Sequence, residues 1–172
     1  MASVDVVAPA DYAGAVPGLA EVLSACVEDG AGVSFMHPFP VAEAARFWAG
    51  LTPKVADGTI LVLAARNGGR IDGTVQLQLV TTPNQPHRAE VAKMLVHPRA
   101  QRQGLAEALM RRLETEALAR GRKLLTLDTA SDVADRLYRR LGFQEVGSIP
   151  GFALWPDGRP SHTTIFYKWL AQ

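Results

Sequence analysis

Six residues, Gln101-Arg102-Gln103-Gly104-Leu105-Ala106, place two small side chains at the expected start of a helix. The first turn of a helix leaves backbone N–H groups unpaired and carries partial positive charge, and both features suit a phosphate. Gly104 and Ala106 let a pyrophosphate come close to the backbone, and Arg99 and Arg102 can add charge-assisted contacts. Glu107 puts a carboxylate in the same turn, which suits the helix dipole but opposes a phosphate if it points inward. The plainer alternative is an ordinary helix start with one glycine. A second candidate is Asp128, which closes the apolar run Leu124-Leu125-Thr126-Leu127 at an expected strand end. A partly buried carboxylate there can accept a proton; the alternative is a turn or cap residue for the next helix. Glu90, at the start of another strand, is either a second such group or a partner for Arg88 or Lys93. Tyr138 either packs its ring on the core with its hydroxyl in solvent or offers that hydroxyl to a reaction. His97 reads as structural, and His37 and His162 are scattered without metal-ligand spacing, so no metal is expected.

The elements that must position these groups are legible from periodicity. A short strand is expected at 5–8. Leu19, Val22, Leu23, Cys26 and Val27 recur at helical spacing, with Pro17 near the start of the helix proper and Gly30-Ala31-Gly32 ending it. Residues 33–40 form an aromatic loop containing Phe35 and Met36. Such a loop either packs on the core or walls a substrate pocket. A second helix fits 41–55. Strands follow at 59–65 and 71–80 around Asn67-Gly68-Gly69, a strong hairpin signal. A strand at 90–96, a helix at 104–119, a strand at 124–128, a helix at 133–141, a strand from 143 to about 148 and a last strand at 163–170 complete the order β-α-α-β-β-β-α-β-α-β-β. Hairpins and helical crossovers together predict an α+β (α/β) fold with a single mixed central sheet flanked by helices.

The chain has 172 residues, a hydrophobic fraction of 48% and a net charge of +1. That length fits one domain over 1–172, and the composition excludes general disorder. A near-neutral chain lacks the basic excess of a protein that binds nucleic acid through phosphates. The basic residues crowd between Arg99 and Lys123, where a local field can meet a small anion. The single cysteine, Cys26, reads as a core filler. No apolar run approaches the ~18 residues that span a membrane, and the start has no signal-peptide layout. The expectation is therefore a soluble, cytoplasmic protein with neither nucleic acid nor membrane as partner. The strand at 163–170 could pair with a second copy, giving a homodimer, if its edge were open.

Gln101-x-x-Gly104-x-Ala106 resembles the pyrophosphate loop of the GNAT-type N-acetyltransferases. Leu137-Tyr138-Arg139-Arg140-Leu141-Gly142-Phe143 is similar to that family's later helix end, and the element order agrees. The likeness implies a GNAT fold in which two adjacent strands, 90–96 and 124–128, splay apart to bind coenzyme A. Acetyl-CoA would be the cosubstrate, contacted by Met94, Leu95, Val96 and the stretch Gln101, Arg102, Gln103, Gly104, Leu105, Ala106 and Glu107. Met94 N–H would face the thioester oxygen. Within the family, Arg88-Ala89-Glu90-Val91, Leu124 to Thr129, Gly30 to Met36, Pro150-Gly151-Phe152 and Pro156 to Arg159 resemble the tabtoxin-resistance acetyltransferases, which act on a small β-lactam amino-acid toxin. This likeness implies that Glu90 and Asp128 are an acid-base pair. The wider family implies that Tyr138 protonates the leaving thiolate.

The expected function is direct acetyl transfer, in a ternary complex, to the amino group of a small molecule, either an amino acid or an amino-acid-like antibiotic, with Phe35 and Met36 touching it. Two alternatives stand beside it. One is acetylation of protein N-termini or lysines, which an open acidic groove would favour. The other is a non-catalytic acyl-CoA-binding module.

Overall fold

Alternation along the strands creates two separate cores. In the computed structural model, which describes residues 3–170, strand β2 (Ile60–Asn67) sends Leu61 and Leu63 to one face and Val62 and Ala64 to the other, all of them buried. The first face packs on helix α4 (Leu105–Ala119) through Leu105, Leu109 and Leu113, and on helix α5 (Asp132–Arg140) through Leu137 and Tyr138. The second face packs on helices α1 (Tyr12–Glu28) and α2 (Val41–Gly50). The result is three layers, helices on both sides of one sheet.

The sheet has seven strands in the order β1-β2-β3-β4-β5-β7-β6. The remaining strands are β1 (Ser3–Val6), β3 (Arg70–Leu79), β4 (Arg88–Val96), β5 (Leu124–Thr129), β6 (Gln144–Leu154) and β7 (Pro160–Trp169). Only the β4–β5 pair is parallel, so the sheet is mixed, as expected. The β2–β3 hairpin turns on Gly68 and Gly69, both with positive φ (56° and 85°), which is what a tight two-residue turn requires.

Four expectations are corrected. Helix α1 begins at Tyr12 rather than near Pro17. Pro17 removes one helical hydrogen bond, toward the Ala13 carbonyl, but both residues are exposed, so water can satisfy that oxygen. The helix expected over 41–55 breaks at Leu51 into α2 and a short α3 (Thr52–Ala56). Pro53 has no N–H for the Ala49 carbonyl, and the Thr52 hydroxyl donates to it at 2.8 Å instead. Strand β6 runs on to Leu154, well past 148. Finally, β7 lies between β5 and β6, so neither of its edges is open to a second copy. The open edges belong to β1 and β6. Strand β6 is exposed along nearly its whole length and is twice irregular against β7, at Glu145/Gly147 and at Ile149/Ala153.

One buried carboxylate ties the β4–α4 connection to the rest of the sheet. Asp72 is 2% exposed and accepts from Arg70 Nε at 3.0 Å and Arg99 Nε at 2.8 Å. Arg99 also donates to the Ile71 carbonyl at 3.2 Å and pairs with Glu21 of α1. Arg99 is therefore a structural anchor, not the phosphate contact its position suggests. Burial alone would raise the Asp72 carboxyl, but the two arginines outweigh it and hold it below the usual carboxylate range. A lowered folded-state pKa stabilises above the unfolded value and is lost as pH falls through the folded one. Asp72→Ala is expected to cost on the order of 2 kcal/mol near neutral pH, a fall of about 4–8 °C in melting temperature. The difference from wild type should shrink below about pH 4. Equal melting temperatures at neutral pH would refute the anchoring.

Candidate active site

Strands β4 and β5 pair only at Arg88/Leu124, Ala89/Leu125 and Glu90/Thr126, and then part. The cause lies partly in β4 itself. Against β3, Gln76 faces Ala92 and Thr74 faces Leu95, so β4 carries one extra residue at this point. Lys93 takes a φ of 51° there. Beyond the break a cavity of about 1270 Å³ opens, lined by both strands, the start of α4, α5, the end of α1 with its loop, and the β6–β7 turn.

The start of α4 forms one wall. Gly104 caps the helix with a φ of 80° and no side-chain cap. Among the described residues, no N–H from Arg102 to Glu107 meets a hydrogen-bond acceptor; the first helical bond is Ala108 N–H to the Gly104 carbonyl, at 3.1 Å. An added Cβ at Gly104 would meet no protein atom within 4 Å. Six consecutive donors, a helix N-terminus and open space in front of them fit a pyrophosphate. Glu107 does not oppose this, because its carboxylate is held by Arg111 at 2.7 Å and lies 3.8 Å from Arg140. Arg102, Arg136 and Arg140 line the same cavity. Arg136 and Arg140 were not expected here; their spacing of four on one helix was the available signal.

The motif at the end of α5 has a local cause. Gly142, with a φ of 84°, closes the helix. Phe143 N–H donates to the Tyr138 carbonyl and Gly142 N–H to the Arg139 carbonyl, each at 3.0 Å. The turn buries Leu137, Leu141 and Phe143 and fixes Tyr138, which is 5% exposed and lines the cavity. Burial first, and the Asp128 charge second, push its hydroxyl above the ordinary tyrosine range, so it holds its proton at neutral pH and can donate it.

Asp128 lines the cavity as well, but it is exposed rather than partly buried. The Thr163 hydroxyl donates to its Oδ2 at 2.6 Å, which fixes the carboxylate and leaves the other oxygen free. Glu90 lies outside the cavity lining. It accepts from Arg88 Nη1 at 2.8 Å, and the same nitrogen donates to Thr126 Oγ1 at 3.0 Å, clamping the last paired position before the splay. Met94, Leu95, Val96, Gln101, Arg102, Gly104, Leu105, Ala106 and Glu107 all line the cavity, whereas Gln103 does not. Met36 lines it and is 43% exposed; Phe35 sits behind, stacked on Phe39 with centroids 4.3 Å apart. Cys26 is on the wall too. Burial, and then the charge of Asp29, raise its thiol to about 12, which makes it a poor nucleophile at neutral pH.

Three non-glycine residues among those described have left-handed backbones: Ser34, Lys93 and Arg102, with φ of 81°, 51° and 59°. All three line this one cavity. Such conformations cost about 1–2 kcal/mol each and gather where a site demands them. The sequence by itself suggests for Lys93 no more than a pairing with Glu90.

Comparison with known proteins agrees with this geometry. The model of the acetyltransferase (GNAT) family matches residues 26–143. A phosphinothricin acetyltransferase from Sinorhizobium meliloti, solved in complex with acetyl-CoA, has a TM-score of 0.79 at 20% identity and covers 99% of this chain and 89% of its own. An N-acetyltransferase from Staphylococcus aureus Mu50 gives 0.80 at 15% identity, covering 99% of both chains. A ribosomal-protein-alanine N-acetyltransferase from Brucella melitensis gives 0.78 at 22% identity, covering 98% of this chain and 99% of its own. At these identities the likeness concerns the fold.

Proposed function

The chain belongs to the GNAT acetyltransferase family and is an acetyl-CoA-dependent acetyltransferase, and from that premise we propose that it acetylates the amino group of a small molecule, an amino acid or an amino-acid-like compound, by direct transfer in a ternary complex. One observation carries the choice of a small acceptor. Two lining segments far apart in sequence are tied together: Gly32 lies against the Trp155 ring, with an added Cβ only 3.1 Å from it, and His37 N–H donates to the Pro156 carbonyl at 3.0 Å. A peptide acceptor needs an open groove, which this bridge narrows. The likeness of the flanking loops to the tabtoxin-resistance enzymes supports the same reading.

In this proposal the N–H groups from Arg102 to Glu107 hold the coenzyme's pyrophosphate, with Gln101 and Gln103 shaping the loop. The free edge of β4 at Met94, Leu95 and Val96 faces the pantetheine arm, and Met94 N–H donates to the thioester oxygen. The coenzyme supplies the activated acetyl group. Asp128 accepts the proton that frees the amine to attack, and Glu90 acts beside it on the same sheet face, two positions back along the splay. Tyr138 protonates the departing thiolate. Phe35 and Met36 shape the acceptor wall. The chain works as a single domain, and every group named comes from one copy.

Coenzyme-thiol release measured over amino acids, amino-acid antibiotics, polyamines and short peptides tests the reading. Turnover with small amino compounds is the expected result. Turnover confined to peptides would sink it. Tyr138→Phe is expected to lower kcat by about 10- to 100-fold with acetyl-CoA affinity and melting temperature kept. An unchanged kcat would remove Tyr138 from the reaction.

A further inference from the structure

Among the described residues, Lys93 is the one lysine that lines the cavity. The extra residue in β4 and its positive φ aim it away from the path a regular strand would give it. Its Nζ lies 5.6 Å from the ring centroids of both Phe35 and Phe47 and 3.4 Å from Ser34 Oγ. An ammonium has three donors. Among the described residues, Ser34 is its one hydrogen-bond partner, and no carboxylate comes within ion-pair distance. The opposing charge it feels is that of Asp128, on the same cavity, whose field helps Lys93 keep its proton. Burial works against that field and prevails, so the amine titrates below the usual lysine range. A part-buried cation of this kind gains from any anion brought to it.

Two opposite charges thus line one cavity without closing on each other. Asp128 is steadied by Thr163, and Lys93 by two rings and a hydroxyl. A ligand with a positive and a negative end satisfies both. We propose that Lys93 receives the carboxylate of the acceptor while Asp128 faces its amine, so that a free carboxylate near the reacting nitrogen is a requirement of this enzyme. The inference rests on the small-amine reading above and narrows it to amino acids proper. It also gives the strained backbone at Lys93 and Ser34 a use: the left-handed turns hold the ammonium at the acceptor end, beside the residues that face the thioester.

The test compares kcat/KM for an amino acid with a free amino group that the wild-type enzyme acetylates, its carboxamide and its decarboxylated amine, in wild type, Lys93→Met and Lys93→Arg, with acetyl-CoA affinity by calorimetry as a check on folding. Wild type is expected to favour the free carboxylate by on the order of 100-fold. In Lys93→Met that ratio should collapse toward one, chiefly through KM, and Lys93→Arg should retain most of it. A wild type indifferent to the carboxylate, or a ratio unchanged in Lys93→Met, overturns the inference while leaving the small-amine reading intact. No turnover with any small amine overturns both.

Discussion

Replacing Gly104 with valine is expected to weaken acetyl-CoA binding by about 100-fold or more while the protein remains folded. Gly104 has a φ of 80°, which a β-branched residue adopts only at a cost. That strain, about 1–2 kcal/mol, lowers the melting temperature by roughly 2–8 °C. The loss of binding has a separate cause. A Cβ added here meets no protein atom within 4 Å, so the new side chain projects into the open space before the N–H groups of the loop. Keeping a phosphate from two of those donors forfeits about 3 kcal/mol, or roughly 100-fold. Gly104→Ala should fall between the two. Calorimetric titration beside thermal melting separates the effects. Affinity near that of wild type in the valine variant would sink the pyrophosphate assignment.

Asp128→Asn is expected to lower kcat by about 10²- to 10⁴-fold with acetyl-CoA affinity nearly unchanged. Asparagine keeps the shape, and its amide oxygen can still accept from the Thr163 hydroxyl that reaches Asp128 at 2.6 Å. What disappears is the charge and the capacity to take a proton. Glu90→Gln tests the other half of the pair. Glu90 is engaged by Arg88 outside the cavity lining, so its neutralisation should cost less than that of Asp128. If neither variant altered the pH–rate profile, the two-carboxylate proposal would be wrong.

Most of the frame was legible because local rules and tertiary packing agree. The Gly68-Gly69 turn, the alternation in β3 and the apolar stripe of α4 each announce themselves in a few residues. The helix start at Gly104 was legible for the same reason, since it needs no distant partner to be recognised. What sequence could not reveal depends on register. The extra residue at Lys93 exists only relative to Thr74 and Gln76 on the neighbouring strand. Arg99 looked like a phosphate ligand from its spacing, but the buried Asp72 claims it. The interior position of β7 follows from strand order, which a run of branched residues does not specify. Pro53 is a different case: it did signal the break in the second helix, and the helical pattern around it masked the signal.

The two irregularities of β6 bear on how the protein behaves at high concentration. This edge strand exposes Val146, Ile149, Phe152 and Leu154, a composition that invites growth of the sheet by a neighbouring molecule. Such growth needs a straight, continuous row of free backbone groups. The register shift at Glu145/Gly147 and the bulge through Pro150 and Gly151 interrupt that row twice, and Pro150 has no N–H to offer. The apolar edge is thus a poor template for fibril-like stacking, and the backbone rather than surface charge keeps it so.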